Sequence, residues 1–336
     1  MNGKERLDRF LAGEEVDRRP NLTIVGSFVT EYTHITLEDY CKNPEKMVQS
    51  SIRCTHDVGL DMVQVASDLF REAEAYGSHI VYYDSRMPEL YKPRLDDIEK
   101  VEELEPVHLA DSQRLQDIVY ATKRAIELSD DCYSMTMLAG PATVAGCIRG
   151  IMDFTADTLE FPEECKTLLE MVGETTIEVV DALAAVGAKY VYLADPVASV
   201  SLQQSYRDLI LPVQQRIFKH MEDLGLVGRL HMCGSAMGML PYSVGSGAKI
   251  LDIDHYVDYA EALKIADGRV ILNGNIDPVA DVNQKTAPDV YREIFELAEN
   301  LGNPHALFMP GCELPTKTDV RCVRAIGQAL ANLGPA

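Results

Sequence analysis

The 336-residue chain is 46% hydrophobic and 25% charged, an ordinary balance for a globular enzyme with a substantial core. Acidic side chains outnumber basic ones 53 to 31, and the net charge of −22 argues against nucleic acid or an anionic membrane as partner. No run reaches the roughly 20 apolar residues of a membrane span. No secretory signal is evident, and eight cysteines without small-domain spacing exclude a disulfide framework, so a reducing cytoplasm is the expected setting.

The chain opens on a charged amphipathic stretch, MNGKERLDRFLAGEEVDRRP. Eight short apolar runs then follow at intervals: NLTIVGSF from Asn21, DMVQVAS from Asp61, YSMTMLAG from Tyr133 and YVYLADP from Tyr190. The second half adds GRLHMCG from Gly228, AKILDID from Ala248, RVILNGN from Arg269 and HALFMPG from His305. Runs that are continuously apolar, rather than alternating, predict strands covered on both faces. Helical stretches separate them: PEKMVQSSIRCTHDVG with Asn43–Pro44 as N-cap and first turn, a long apolar stripe ending at Gly187, and DVYREIFELAEN. Eight strand–helix repeats predict an α/β fold, a closed (β/α)8 TIM-type barrel, as one domain over residues 1–336. The weaker pattern at about 81–111 reads as an insertion over the barrel mouth. An open doubly wound sheet is the alternative, but no Gly-x-Gly-x-x-Gly turn follows the first strand.

A barrel of this kind gathers its active site at the C-terminal ends of its strands. Those ends supply Asp68, Gly140, Asp195, His231 with Cys233, Asp254, Asn275 with Asp277, and Cys312. His231 and Cys233 stand two apart and so share a face of their strand, the inward one. Cys312 follows the last strand within a Pro-Gly-Cys turn. Taken alone, one histidine and two cysteines also suit plain core packing. Their placement on the catalytic face favours a metal, and two thiolates with one imidazole leave a fourth position open, the pattern of a catalytic zinc. Zinc keeps a substrate thiol as the thiolate, the form that attacks a methyl group.

Other candidates carry less weight. Asp195, Asp254 and Asn275 are candidate catalytic groups that would orient a ligand or move a proton, although an Asp before Pro also starts turns. Glu72 and Glu74 either line the pocket or sit at a helix N-terminus. Arg149 would suit an anionic acceptor, or a surface ion pair. His34, His255 and His305 are placed near the mouth, although a lone histidine is more often a satisfied surface or core residue, and Cys41, Cys54, Cys132, Cys147, Cys165 and Cys322 are assigned to packing.

The successive stretches HMCGSAMGML, AKILDIDHYVDYAEA, VILNGNIDPVADV and LFMPGCELPTKT resemble the uroporphyrinogen decarboxylase superfamily, and within it the corrinoid-linked methyltransferase branch. GEEVDRRP, SDLFREAEAYGS, AGPATVAGCIRG and LADPVASVSLQQSYRDLILP agree, so the likeness spans nearly the whole chain in order. It implies a (β/α)8 barrel, one zinc on His231, Cys233 and Cys312, and methyl exchange between a corrinoid such as methylcobalamin and a thiol such as coenzyme M. The alternative it implies is demethylation, in which a methoxy or other methylated substrate gives its methyl to a partner corrinoid protein. Tetrapyrrole decarboxylation is disfavoured, because the arginine-rich motif of that branch is replaced by PNLTIVGSFVTEYTH, with no arginine between Arg19 and Arg53. The chain also departs from the methyltransferase pattern: Glu313 follows Cys312 where that branch tends to have glycine. No Asp-x-His-x-x-Gly corrinoid motif is present, so the corrinoid is expected on a partner protein, or free, at the barrel mouth.

Overall fold

Seven of the eight apolar runs form strands of one parallel sheet. The computed structural model describes residues 1–303 and 305–335. In chain order the strands are β1 (Met62–Val65), β2 (His79–Val81), β3 (Glu89–Lys92), β4 (Tyr133–Ala139), β5 (Tyr190–Ala194), β6 (Val227–His231), β7 (Ile250–Asp252), β8 (Ile271–Ile276) and β9 (Leu307–Pro310). The main sheet runs β1-β4-β5-β6-β7-β8-β9, while β2 and β3 pair as a separate antiparallel hairpin. This curled, all-parallel sheet wrapped in helices is the α/β barrel expected from the sequence.

The side-chain period explains why the runs read as unbroken. On β5, Tyr190, Tyr192 and Ala194 point into the barrel, whereas Val191 and Leu193 point to the outer helices. Both faces are buried, so both need apolar residues. The barrel interior is closed at its N-terminal end by helix Gly3–Leu11, whose Leu7 and Phe10 pack with Ile250, Leu307 and Tyr190. Burial of each such side chain is worth about 1.5–3 kcal/mol. Asn2 caps that helix by accepting from the Glu5 N–H, and Arg6 anchors it beneath the barrel through Asp17 and Asp61.

The first predicted strand is a correction. Residues 21–25 are buried but belong to no ladder. Backbone bonds touch this stave at its ends, from Asp61 N to Asn21 O and from Leu314 N to Ile24 O, both 3.0 Å. Between them the side-chain amide of Gln64 takes over, accepting from Val25 N at 3.1 Å and donating to Thr23 O. An amide inserted between two backbones satisfies their polar groups yet holds them too far apart to pair directly. The barrel is therefore closed through a side chain at this point. The stretch assigned to an insertion holds β3 and two 3-10 turns, Ile98–Glu103 and Leu109–Asp111, and from the β2–β3 connection Met87 reaches the mouth.

Candidate metal centre

His231 ends β6, and Cys233 lies two residues beyond it. Cys312 lies two beyond β9, on the far side of β7 and β8. Curling of the sheet nonetheless brings one ligand atom of each to within 4.8 Å of the others. Cys312 Sγ stands 3.6 Å from His231 Nε2. Gly311 makes the approach possible, since a Cβ there would lie 2.7 Å from the Asp254 Cα and 2.8 Å from the Ile253 carbonyl. No other residue fits that contact.

Beneath the cluster is a buried polar relay that sequence reasoning missed. The ladder pairs His231 with Asp252 on β7, and Asp252 with Asn273 on β8. Side chains at one level of a parallel ladder point the same way, so the three meet inside the barrel. His231 Nδ1 lies 3.0 Å from Asp252 Oδ2. Arg229, two residues before His231 and on the same face, donates through Nε to both Asp252 oxygens at 2.9 and 3.0 Å. Asn273 Nδ2 donates to Oδ1 at 2.6 Å. Arg229 also lies 5.0 Å from the centroid of the Tyr192 ring and donates to Leu22 O across the barrel. Burial raises the Asp252 pKa, but Arg229 and His231 outweigh it and hold the carboxyl below its ordinary value. Burial likewise opposes charge on His231, yet the hydrogen bonds to Asp252 and Cys312 bring that ring up to about 10. The two thiols divide in the opposite sense: the hydrogen bond between them lowers Cys233 and raises Cys312. With Nδ1 tied to a carboxylate, Nε2 is the nitrogen that faces the sulfurs. A histidine fixed in this way is how metal-binding imidazoles are commonly oriented. One sequence signal pointed here: Arg229 and Asp252 are charged residues inside apolar strands.

The cluster forms one wall of a cavity of about 130 Å³ at the C-terminal ends of the strands. The opposite wall is apolar and rich in sulfur, with Met135 and Met137 of β4, Ala66, Leu69 and Met87. Asp68, Tyr192 and Glu313 complete it. Among the described residues, no lysine or arginine lines this cavity.

The remaining candidates fall elsewhere. Asp195 is wholly buried outside the cavity lining, where it accepts from Thr143 N and Oγ1 at 2.8 Å, Gln214 Nε2 at 2.9 Å and Ala142 N at 3.4 Å. Burial raises its pKa despite those bonds. Asp254 accepts from Gly234 N and His255 N, both at 2.6 Å, and so fixes the turn after Cys233. Asn275 donates to Val257 O at 2.5 Å. Neither Asp254 nor Asn275 lines the cavity. Glu72 is buried against Arg71, Glu74 pairs with Arg114, and Arg149 is occupied by Asp157 and Asp153. His305 precedes β9 and so stands at the barrel end opposite the mouth, contrary to its assignment from sequence. All eight cysteines are free thiols, and Cys41, Cys54, Cys132, Cys147, Cys165 and Cys322 are buried apart from the cluster.

The comparisons with known proteins agree with this architecture. A sequence-family model described as uroporphyrinogen decarboxylase (URO-D) matches residues 2–333, and the chain belongs to that family. Among its relatives is a methylated-thiol–coenzyme M methyltransferase of Methanosarcina mazei, 26% identical over 302 residues that cover 88% of this chain and 81% of the relative. A methylcobamide:CoM methyltransferase MtaA of Methanosarcina barkeri is also 26% identical, covering 81% and 82%. A uroporphyrinogen decarboxylase of Carboxydothermus hydrogenoformans is 23% identical, covering 76% and 75%. A solved methyltransferase structure from M. mazei superposes with a TM-score of 0.89 at 21% identity over 99% of both chains, which shows a shared fold. The family thus spans decarboxylases and methyltransferases at similar distances from this chain, and the choice between them rests on the site.

Proposed function

We propose that the protein is a zinc-dependent methyltransferase that exchanges a methyl group between a corrinoid and a small sulfur compound. The observation that carries this reading is the convergence of two thiols and an imidazole, with Nδ1 of that imidazole already committed to Asp252. Two sulfurs and one nitrogen match zinc and leave room for one exchangeable ligand. His231 Nε2, Cys233 Sγ and Cys312 Sγ are the atoms that would hold it. Bound zinc supplies a Lewis acid that keeps a substrate thiol ionised near neutral pH.

The chain's own residues supply the rest. Asp252, held by Arg229 and Asn273, fixes the orientation of the imidazole. The methionine wall across the cavity is apolar and excludes water around the reacting carbon. In the reaction, the substrate thiol gives its proton to solvent and its sulfur attacks the methyl carbon of methylcobalamin. The carbon–sulfur bond forms as the cobalt–carbon bond breaks, and that electron pair leaves with cobalt, reducing it from cobalt(III) to cobalt(I). The reverse direction, from a methylated sulfur compound to a corrinoid, needs the same groups. The M. mazei relative, a methylated-thiol–coenzyme M methyltransferase, favours a sulfur compound over a methoxyarene. The corrinoid is assigned to a partner protein or to free cofactor at the mouth.

Decarboxylation of a substrate with several carboxylates is not favoured, because no lysine or arginine among the described residues lines the cavity to receive them. The free thiols fit a reducing compartment, and no described helix is long and apolar enough to cross a membrane. The direct test mixes zinc-loaded protein, methylcobalamin and a small thiol, and follows the cobalt(I) spectrum together with the methyl thioether formed. Formation of both is the expected result. Turnover that survives in a Cys312→Ser protein stripped of metal would overturn the reading.

A further inference from the structure

The charge of the cavity narrows the substrate. Glu313 follows Cys312 directly and stands on the cavity wall. One of its oxygens, Oε1, accepts from the Ser27 N–H at 2.6 Å, and the other makes no hydrogen bond among the described residues. The chain makes specific room for this carboxylate: a Cβ at Gly26 would lie 2.4 Å from both Glu313 Cδ and Oε1. Gly26 also has φ of +24°, in the region that favours glycine. Glu313 is held beside the cluster by its bond from the Ser27 N–H, with Gly26 leaving the space its carboxylate occupies.

The other charged groups do not offset it. Asp68, also on the wall, is neutralised by Arg114 at 2.5 Å, and Arg114 itself lies outside the lining. Arg229 is spent on Asp252 beneath the cluster. Lys317 and His34 line a different depression, together with Glu31 and Asp84. Zinc with two thiolates and a neutral imidazole carries no net charge. The cavity is thus left with one uncompensated negative charge against a wall of methionine and alanine.

The geometry points to Glu313 as the specificity-determining residue that rejects anionic substrates, so that the small sulfur compound is neutral or cationic at the end remote from sulfur. A sulfonate or carboxylate tail would meet a like charge in a partly desolvated site with no cation to pair with it. An alcohol or ammonium tail would instead gain a hydrogen bond or an ion pair from the free Glu313 oxygen. This inference deepens the proposed function and rests on it for the placement of sulfur at the metal.

Three thiols of one scaffold test it: 2-aminoethanethiol, 2-mercaptoethanol and 2-mercaptoethanesulfonate. Their affinity for the zinc-loaded protein is measured by titration calorimetry, and their methylation by methylcobalamin is followed separately. Wild type is expected to bind the ammonium and alcohol thiols at least about tenfold more tightly than the sulfonate. Glu313→Gln, which keeps the acceptor for Ser27, is expected to collapse that ratio, and comparing one thiol on two proteins cancels differences in thiol acidity. The inference is overturned if wild type binds the sulfonate as tightly as the alcohol, a result that needs no variant. It is equally overturned if a folded Glu313→Gln protein keeps the wild-type ratio. The charge order in binding without any methyl transfer would sink the methyltransferase reading and leave the charge preference standing. Methyl transfer that prefers the sulfonate would do the reverse, and failure of all three thiols to bind would overturn both.

Discussion

Two buried ion networks flank the cavity, and they serve different ends. On β6–β8, Arg229 and Asn273 hold Asp252, whose carboxylate pairs with Nδ1 of His231 at the candidate metal centre. After β1, Arg114 holds Asp68 and Glu74, and Arg71 holds Glu72, but the bonds from this second network run to neighbouring side chains and the backbone and none reaches His231, Cys233 or Cys312. Asp68 accepts from Phe70 N, Arg114 donates to Cys41 O, and Arg71 donates to Met137 O. Both networks sit in low dielectric, and both keep an aspartate ionised. What separates them is the destination of the last hydrogen bond. One ends on a ring nitrogen that faces two thiols; the other closes on the chain and pins a loop.

The largest expected effect breaks the first network at its outlet. Cys233→Ser or Cys312→Ser should abolish stoichiometric zinc, read by metal analysis, and with it methyl transfer, while circular dichroism stays that of wild type. Asp252→Asn should weaken zinc binding by about 10–100-fold, measured by competition with a chelator, because the carboxylate that orients His231 is gone. Arg114→Ala should do the opposite. It leaves Asp68 buried without its cation and should cost about 3–5 kcal/mol in urea unfolding, with zinc affinity unchanged. Loss of zinc affinity in Arg114→Ala would erase the distinction between the two networks.

A pH profile sharpens the same contrast. Burial pushes Asp68 up, but Arg114 more than reverses this and leaves it below the ordinary carboxylate value. As pH falls, the unfolded chain therefore takes up that proton first, near pH ~3.9. The stability contributed by Asp68 is complete above that region and is lost as pH drops towards the lower native value. The urea midpoint should fall on acidification in wild type, and that slope should flatten in Arg114→Ala. The smallest effect is expected at Asp195. Replacing it with Asn exchanges one accepting oxygen for an NH2 donor that faces other donors, those of Thr143 or of Gln214 and Ala142, and should cost about 1–3 kcal/mol of stability. Zinc content and methyl transfer should be unchanged, and a collapse in turnover with normal stability would return Asp195 to the chemistry.

Much of this was readable in advance, for a definite reason. A strand buried on both faces is apolar at most positions, so seven strands of the main sheet stand out as runs such as YVYLA and LFMP. The stave at residues 21–25 has the same composition, and only its partner, Gln64, reveals that it cannot join a ladder. His231, Cys233 and Cys312 were accessible because strand ends converge in any barrel. Asp252 was not. In the run ILDIDH, Asp252 and Asp254 are two apart and share a face, and sequence favours the one nearer the strand end.

The sequence by itself determined the barrel, its polarity and the three side chains of the candidate metal centre, because periodicity and strand order are local properties of the chain and strand ends converge in a barrel. Tertiary structure decided which aspartate serves the histidine. Register across the ladder sets Asp252 level with His231, while Asp254 runs on to cap the turn at Gly234. It also decided that Glu313 faces the cavity rather than solvent, because only folding brings Gly26 under it to leave the space. Register and close packing join residues far apart in the chain, and no local pattern encodes them.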